Sequence, residues 1–367
     1  MSKKVILTGI TGQFGSYMAE YLLANTDYEI YGMTRRLSVQ NHKNILHLKD
    51  NPRLHLFSGD LNDEHSLYRS ISEILPDFYI NAGAQSFVSE SWISPVNTFN
   101  TDTIAIIHIL EAIRKLVPHC RFLNMGSSEE FGDVLYSPQD MKHPFRARSP
   151  YGAAKIAAHQ LIKTYRESYN LYAIQAVAFN YESKRRGEEF LTRKVTKGVA
   201  RIYHALKSKQ SFAPIELGQL DSRRDWSHAS DIVDGVWKML NQDTSNPKEY
   251  ILSSGRHHTV RDFVVLAFQE AGINGCWING QTLGSTNAYD PQKDVFAIAQ
   301  KNGAYPILVS VNPKFYRPAD VNSLLGDSSP IRMELNWQPK VSFEDLVQEM
   351  VRSDIFEFSQ QTQHNQT

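Results

Sequence analysis

In the stretch SPYGAAK, Ser149 to Lys155, a tyrosine and a lysine stand four residues apart, Tyr151 and Lys155. On a helix that spacing sets both on one face, one turn apart. A phenol beside an ammonium can take or give a proton, because the neighbouring positive charge favours the phenolate. The same pair also fits an ordinary first turn of a helix, so the stretch alone leaves both readings open. A second pair is Ser127 and Glu129 in NMGSSEEFG. Two apart on an extended strand end they point the same way, a hydroxyl beside a carboxylate. A carboxylate there serves a reaction in which a carbon acid loses its proton and hydroxide leaves as water, both general acid–base tasks. The alternative is an acid at a helix N-terminus, stabilised by the dipole. The 13 histidines have no HExxH or clustered spacing, so no metal site is expected.

Such side chains must be positioned by regular elements. KVILTG, YEIYGM, LHLFSGD, FYINAGA, RFLNMGS and YAIQAVAFN are short, mostly apolar or β-branched runs, with helical spacing such as Ile106, Ile109, Leu110 and Ile113 between them. Near-continuous apolar strands separated by helices predict a doubly wound α/β fold, a parallel sheet covered on both faces. After Asn180 the rhythm breaks into clusters such as ESKRRGEEF, LGQLDSRRDW and KFYRPAD, mixed with amphipathic helices around 195–203, 232–240 and 260–271. The expected division is a cofactor domain over 1–180 and a mainly substrate-binding domain over 181–358, whose chain can cross back onto the sheet. The polar run 359–367 is expected to be disordered.

The first strand leads into Gly9, Gly12 and Gly15 at GxxGxxG spacing, followed by a helical pattern. Glycines let the backbone turn tightly against a pyrophosphate while the helix N-terminus presents N–H groups, so this turn predicts dinucleotide binding. At the end of the second strand, where an acid commonly binds the ribose of NAD, stand Arg35 and Arg36. Arginines there can hold a 2'-phosphate, and the cofactor is read as NADP. Asp60 is placed for the adenine amino group, and Asn81 to Ser86 offers small residues at a strand end that passes the cofactor.

Composition narrows the partners. In 367 residues, Lys plus Arg and Asp plus Glu are equal at 39 each, so no global field favours nucleic acid or an anionic membrane. Anions must be held locally, and KRRG (184–187) and SRRD (222–225) are the candidates for a diphosphate. Cys120 and Cys276 form no CxxC pair and read as packing residues in a reducing compartment. No run approaches the ~18 apolar residues of a membrane span, and Met1-Ser2-Lys3-Lys4 leads straight into a short strand, so a cytoplasmic location is expected.

Together the glycine turn, GDL, AGAQS and SPYGAAK resemble the extended short-chain dehydrogenase/reductase superfamily. LTGITGQFGSYMAEYLL, RSPYGAAK, FNYESKRRGEEFLTRKV, LGQLDSRRDWSHASDIV and FYRPADV are similar, in order and spacing, to the GDP-mannose 4,6-dehydratase family, from Lys4 to about Ser353. The resemblance implies a Rossmann domain and a lyase that dehydrates GDP-mannose to GDP-4-keto-6-deoxy-mannose through an internal NADP redox cycle, in deoxyhexose biosynthesis. It implies Tyr151 and Lys155 as the redox pair, Ser127 in place of a catalytic threonine, and Glu129 as acid/base. Cofactor contacts implied are Gly9, Thr11, Gly12, Gln13, Phe14, Gly15, Arg35, Arg36, Ser38, Asp60, Leu61, Ala82, Gly83, Ala84, Gln85, Tyr151, Lys155, Tyr181 and Arg186. Substrate contacts implied are Ser86, Asn180, Lys194, Arg224, Arg317 and Asp320. A homodimer or homotetramer is implied too, with the Arg35 loop near a neighbouring subunit's cofactor.

Departures from the family pattern fall on cofactor fit and sugar specificity: Ser127 for threonine, Tyr181 for histidine, Phe14 for an acid, Asp320 for glutamate, Asn97 for a tyrosine, and Thr103 and Ala105 for glycines. Ser127 keeps the hydroxyl. A related GDP-manno-heptose is the alternative substrate, and an epimerase or reductase on a nucleotide sugar, which does not need Glu129, is the alternative activity.

Overall fold

The computed structural model describes residues 2–38, 41–279, 291–298, 306–316, 321 and 323–364. Its central sheet takes six strands from the first half of the chain: β1 (Lys4–Thr8), β2 (Glu29–Thr34), β3 (Leu54–Ser58), β4 (Phe78–Asn81), β5 (Arg121–Met125) and β6 (Ala173–Ala178). A seventh strand, Ile251–Leu252, joins the edge beyond β6. Every pairing is parallel, and the order is Ile251–Leu252, β6, β5, β4, β1, β2, β3.

Alternation along each strand feeds two layers. Val5, Leu7, Ile80, Leu123 and Ile174 face Met18 and Leu22 of helix Gln13–Asn25 and Val233, Val236 and Met239 of helix Ala229–Leu240. Ile6, Tyr79 and Phe122 face Leu67, Ile71, Ile106, Ile109 and Ile113. Burying each such aliphatic side chain fully is worth about 1.5–3 kcal/mol, which is why these strands carry so little alternating polarity. Strand order reverses between β1 and β4, so the crevice beyond their C-terminal ends is the expected ligand position of an open α/β sheet.

The chain forms two compact units. The first comprises Met1–Tyr181, Asp225–Arg256 and Leu324–Lys340; the second Glu182–Arg224, His257–Ser323 and Val341–Thr367. Helix Ala229–Leu240, grouped by sequence with the C-terminal part, lies in the first unit, because its apolar stripe completes one layer over the sheet. The second unit contains a four-stranded sheet (Cys276–Ile278, Val295–Ala297, Ile307–Val311, Ile215–Leu217) and helices Leu191–Lys207, Val260–Glu270 and Phe343–His364.

Two expectations are corrected here. The polar run from Ser359 continues the last helix as far as His364, on an anchor of buried Leu346, Val347, Met350 and Val351; 365–367 lie outside the described residues. Cys120 is buried and packs as expected, but Cys276 is exposed. Among the described residues no helix is long and apolar enough to cross a membrane.

Candidate active site

The glycine turn stands at the end of β1. Gly9 has φ +65°, and a Cβ there would lie 2.8 Å from the backbone of Ala82 and Gly83, so only glycine serves both the turn and the close approach of β4. Gly12 begins helix Gln13–Asn25 with no side-chain cap and no acid in its first turn. An uncapped N-terminus of this kind accepts an anion, and the turn fits a dinucleotide pyrophosphate.

The other candidate cofactor residues surround that turn unevenly. Phe14 meets Tyr181 edge-on, ring centroids 6.2 Å apart, and Gln13 Nε2 donates to the Tyr181 carbonyl at 3.0 Å. Asn44, which carries no sequence signal, donates to the Thr11 carbonyl at 2.9 Å. Arg35, Arg36 and Ser38 are exposed just past β2. Asp60 accepts from the Asn62 N–H at 2.9 Å, and Leu61 is buried. Beyond β4 come Ala82, Gly83 and Ala84; the Gly83 N–H donates to Thr8 Oγ1 at 3.0 Å, and that of Gln85 to Asp102 Oδ1 at 2.7 Å.

SPYGAAK does start a helix, Pro150–Tyr169. Ser149 caps it by accepting from the Gly152 N–H at 3.0 Å, and Pro150 fills the first helical position. A Cβ on Gly152 would come within 2.7 Å of the Glu129 carbonyl oxygen, so the glycine is where this helix touches the segment bearing Glu129. Tyr151 and Lys155 are both buried, and the Tyr151 phenol hydrogen-bonds the Ser127 side chain.

The electrostatics differ from expectation. Burial, then the charge of Asp102, pushes the Tyr151 phenol up; Ser127 opposes this, while Glu129 and Glu130 add to it. Lys155 offsets the rise only in part, because its ammonium is engaged elsewhere: it donates to the Met125 carbonyl at 3.0 Å and lies 3.7 Å from Asp102 Oδ2, with its nitrogen 5.6 Å from the Tyr151 ring centroid. Burial raises the Asp102 carboxyl, opposed by Lys155 and the Gln85 N–H. Sequence reading passed over Asp102, a single acid in the stretch between Thr98 and Ile106, and that isolation was its signal.

Glu129 is not on an extended strand end. β5 stops at Met125, and Ser127 caps a 3-10 turn over Ser128–Glu130. Ser127 Oγ accepts from the Glu129 N–H at 3.2 Å, while Glu130 Oε1 accepts from the Ser127 N–H at 2.8 Å. The carboxylate that closes the cap is therefore Glu130. Glu129 is half-buried and acts on Tyr151 through its charge.

A buried polar ladder connects this turn to the glycine loop. Thr8, Asn81, Asn124 and Gln175 occupy matched positions on four neighbouring strands. Thr8 Oγ1 donates to Asn81 Oδ1 (2.6 Å), Asn81 Nδ2 to Asn124 Oδ1 (2.8 Å), Asn124 Nδ2 to Gln175 Oε1 (2.7 Å) and Gln175 Nε2 to Glu130 Oε1 (2.9 Å). Satisfied in this way, buried amides specify one register instead of costing stability. A polar residue set among the buried positions of each apolar strand was the overlooked signal.

Beyond Glu130 lies a charged cluster. His159 Nδ1 is 2.7 Å from Glu130 Oε2, its Nε2 is 3.2 Å from Glu249 Oε2, and Arg166 Nη1 pairs with Glu249 Oε1 at 3.1 Å. Burial pulls His159 toward the neutral form, but the two carboxylates prevail and hold it up at about 10; burial likewise opposes the Glu249 charge, and His159 and Arg166 bring it down to about 2. The native state thus binds the His159 proton more tightly than the unfolded chain does. Its contribution is complete below pH about 6.5 and is lost as pH rises through about 10; that of Glu249 is complete above about 4.5 and is lost as pH falls through about 2. The difference in thermal midpoint between the native protein and His159→Gln should be flat between these limits and shrink from pH about 6.5 to about 10. A difference unchanged over that range would mean that His159 is neutral.

The structure brings Ser127, Glu129, Tyr151 and Lys155 together within the first unit. Asn180 is there too, its Oδ1 buried without a hydrogen-bond partner among the described residues, whereas Ser86 is exposed. In the second unit Arg186 pairs with Glu182 at 3.2 Å and covers the Phe190 ring at 3.4 Å. Lys194 lies 3.4 Å from the Phe315 ring centroid and is pulled down by burial, and Arg224 Nη1 donates to the Arg223 carbonyl at 3.0 Å. Arg317 and Asp320 lie outside the described residues.

Residues 6–350 match the family model described as GDP-mannose 4,6 dehydratase. The chain is 41% identical to the GDP-mannose 4,6 dehydratase of Drosophila melanogaster over 96% of its length and 86% of the relative's. It is 38% identical to that of Homo sapiens over 95% and 91%. Among solved structures it is similar in fold to a UDP-glucose 4-epimerase from Thermotoga maritima, with TM-score 0.76, 20% identity and coverage of 97% and 99%. A dTDP-glucose 4,6-dehydratase from Bacillus anthracis in complex with NAD gives TM-score 0.75 at 19% identity over 98% of each chain. A Pseudomonas aeruginosa structure complexed with NADPH gives 0.71 at 16% identity over 97% and 100%.

Proposed function

This chain belongs to the GDP-mannose 4,6-dehydratase family, and we propose on that premise that Ser127, Glu129, Tyr151 and Lys155 are its catalytic set and NADP its cofactor. The enzyme is a hydro-lyase that converts GDP-mannose to GDP-4-keto-6-deoxy-mannose, using a bound nicotinamide cofactor in an internal redox cycle. The observation that carries the residue assignment is the Ser127 hydroxyl hydrogen-bonded to the Tyr151 phenol, with Gly152 of the same helix packed against the backbone of Glu129.

A bound nicotinamide cofactor would supply the hydride chemistry, oxidation at C4 of the sugar and reduction at C6. The protein's part is proton movement. Tyr151 takes the C4 hydroxyl proton, with Ser127 hydrogen-bonded to the same oxygen. The 4-ketone acidifies C5–H; Glu129 removes that proton and protonates the C6 hydroxyl as it leaves as water, and a proton returned to C5 as hydride adds at C6 balances the one that Tyr151 took. Lys155, drawn onto Asp102, supplies positive charge below the ring. Gly9, Thr11, Gly12, Gln13, Phe14 and Gly15 would hold the pyrophosphate, and Asp60, Leu61 and Ala82 to Gln85 would line the cofactor. Tyr181 and Arg186 would complete its site; Ser86, Asn180, Lys194, Arg224, Arg317 and Asp320 would contact the sugar nucleotide. Self-association as a homodimer or homotetramer in the cytoplasm is part of the same reading.

NADP preference rests on Arg35 and Arg36, exposed immediately past β2. Replacing both with alanine should weaken NADP binding by about one to two orders of magnitude, as loss of charge-assisted contacts to a phosphate does. NAD affinity should hardly change. Calorimetric titration of both cofactors measures this, and equal native affinity for the two would exclude the assignment. Mass spectrometry of the purified protein incubated with a panel of nucleotide sugars, scored for loss of one water, tests the substrate.

A further inference from the structure

We propose that Glu130 and His159 are a positioning pair that holds Ser127 and Glu129 against Tyr151, an inference that rests on the catalytic reading above. The Ser127 N–H leaves a strand end where no neighbouring strand takes it, and Glu130 Oε1 accepts it at 2.8 Å. The same oxygen accepts from Gln175 Nε2 at 2.9 Å, and that amide nitrogen also donates to the Lys155 carbonyl at 3.2 Å. One buried amide therefore ties the turn bearing Ser127 and Glu129 to the helix bearing Tyr151 and Lys155.

A carboxylate with 0% exposure needs a counter-charge. His159 supplies it from 2.7 Å, is bracketed on its other side by Glu249, and has the Phe145 ring 4.9 Å from its own. Glu249 in turn pairs with Arg166 and accepts the Gln175 N–H at 2.9 Å. The four charges cancel. Glu130 reaches the chemistry in two ways: through the backbone of Ser127, and through its charge on Tyr151, which Asp102, Glu129 and Lys155 also face. His159 acts through its carboxylate partners, Glu130 foremost, and touches none of the reacting groups itself.

The test separates position from charge. In Glu130→Leu the Ser127 N–H, Gln175 and His159 each lose a partner. The kcat on GDP-mannose should fall about 10- to 100-fold, as for a small misplacement of reacting groups, with KM within about twofold. Glu130→Gln can still accept from Ser127 and should recover most of kcat. It also removes a negative charge near Tyr151, so the acid limb of the kcat/KM profile should move to lower pH by about half a unit or more. His159→Gln leaves Glu130 uncompensated and should move that limb to higher pH. Opposite shifts support the pair even if Glu130→Leu does not fold; shifts of one sign, no shift, or kcat of Glu130→Leu within twofold of native overturn it. A native protein that does not dehydrate GDP-mannose overturns the underlying reading, and that control is seen before any variant is compared.

Discussion

Tyr151→Phe is expected to give a folded protein that binds cofactor and sugar nucleotide but turns over about 10²- to 10⁴-fold more slowly, the range lost when a positioned acid–base group is removed. The ring is buried and stays in place, so only the oxygen hydrogen-bonded to Ser127 is lost. Burial and Asp102 hold this phenol protonated in the structure. Proton acceptance therefore depends on added positive charge, which Lys155 provides only in part while it is paired with Asp102. Asp102→Asn should release that ammonium and move the acid limb of the pH profile downward, the direction in which loss of a neighbouring negative charge moves a phenol. Steady-state kinetics with the loss of one water as the signal measures both variants. Near-native turnover in Tyr151→Phe would remove Tyr151 from the mechanism.

Glu129→Gln should separate the first half of the reaction from the second. An amide cannot take the C5 proton, so elimination should fall about 10²- to 10⁴-fold while oxidation at C4 persists. Reduced-nicotinamide absorbance should then rise slowly on adding GDP-mannose, with little 4-keto-6-deoxy product. In the native enzyme little should accumulate, and deuterium placed at C4 of the substrate should appear at C6 of the product. Its complete absence there would refute internal transfer. The competing role for Glu129, a capping carboxylate, predicts a stability loss of ~0.5–2 kcal/mol with catalysis intact. Since Glu130 takes the cap, that loss should attach to Glu130 variants instead.

Local features were legible in the sequence. The six strands of the first half, the glycine turn and the helix begun by Ser149-Pro150 are each set by residues within a few positions of one another: apolar runs, a left-handed glycine, a side-chain cap. Tyr151 and Lys155 share a face because four residues make about one helical turn. Family membership was also legible, through motifs that span nearly the whole chain.

What spacing could not reveal was which charges meet. Asp102 captures the lysine meant for the tyrosine only because the segment over Asn100–Ile104 packs against helix Pro150–Tyr169. Glu129 and Glu130 are adjacent acids with nothing in the sequence to tell them apart. The 3-10 turn turns Glu130 inward to the Ser127 N–H and to His159, 29 residues away, and leaves Glu129 half-buried, its charge bearing on the phenol. Strand register decided the Thr8, Asn81, Asn124 and Gln175 ladder, since a shift of one residue would have sent each polar group to the opposite face of the sheet. Hydrophobic pattern determines that a strand is buried; which buried polar atoms become neighbours depends on how strands align and helices close over them, and that alignment exists only in the folded chain.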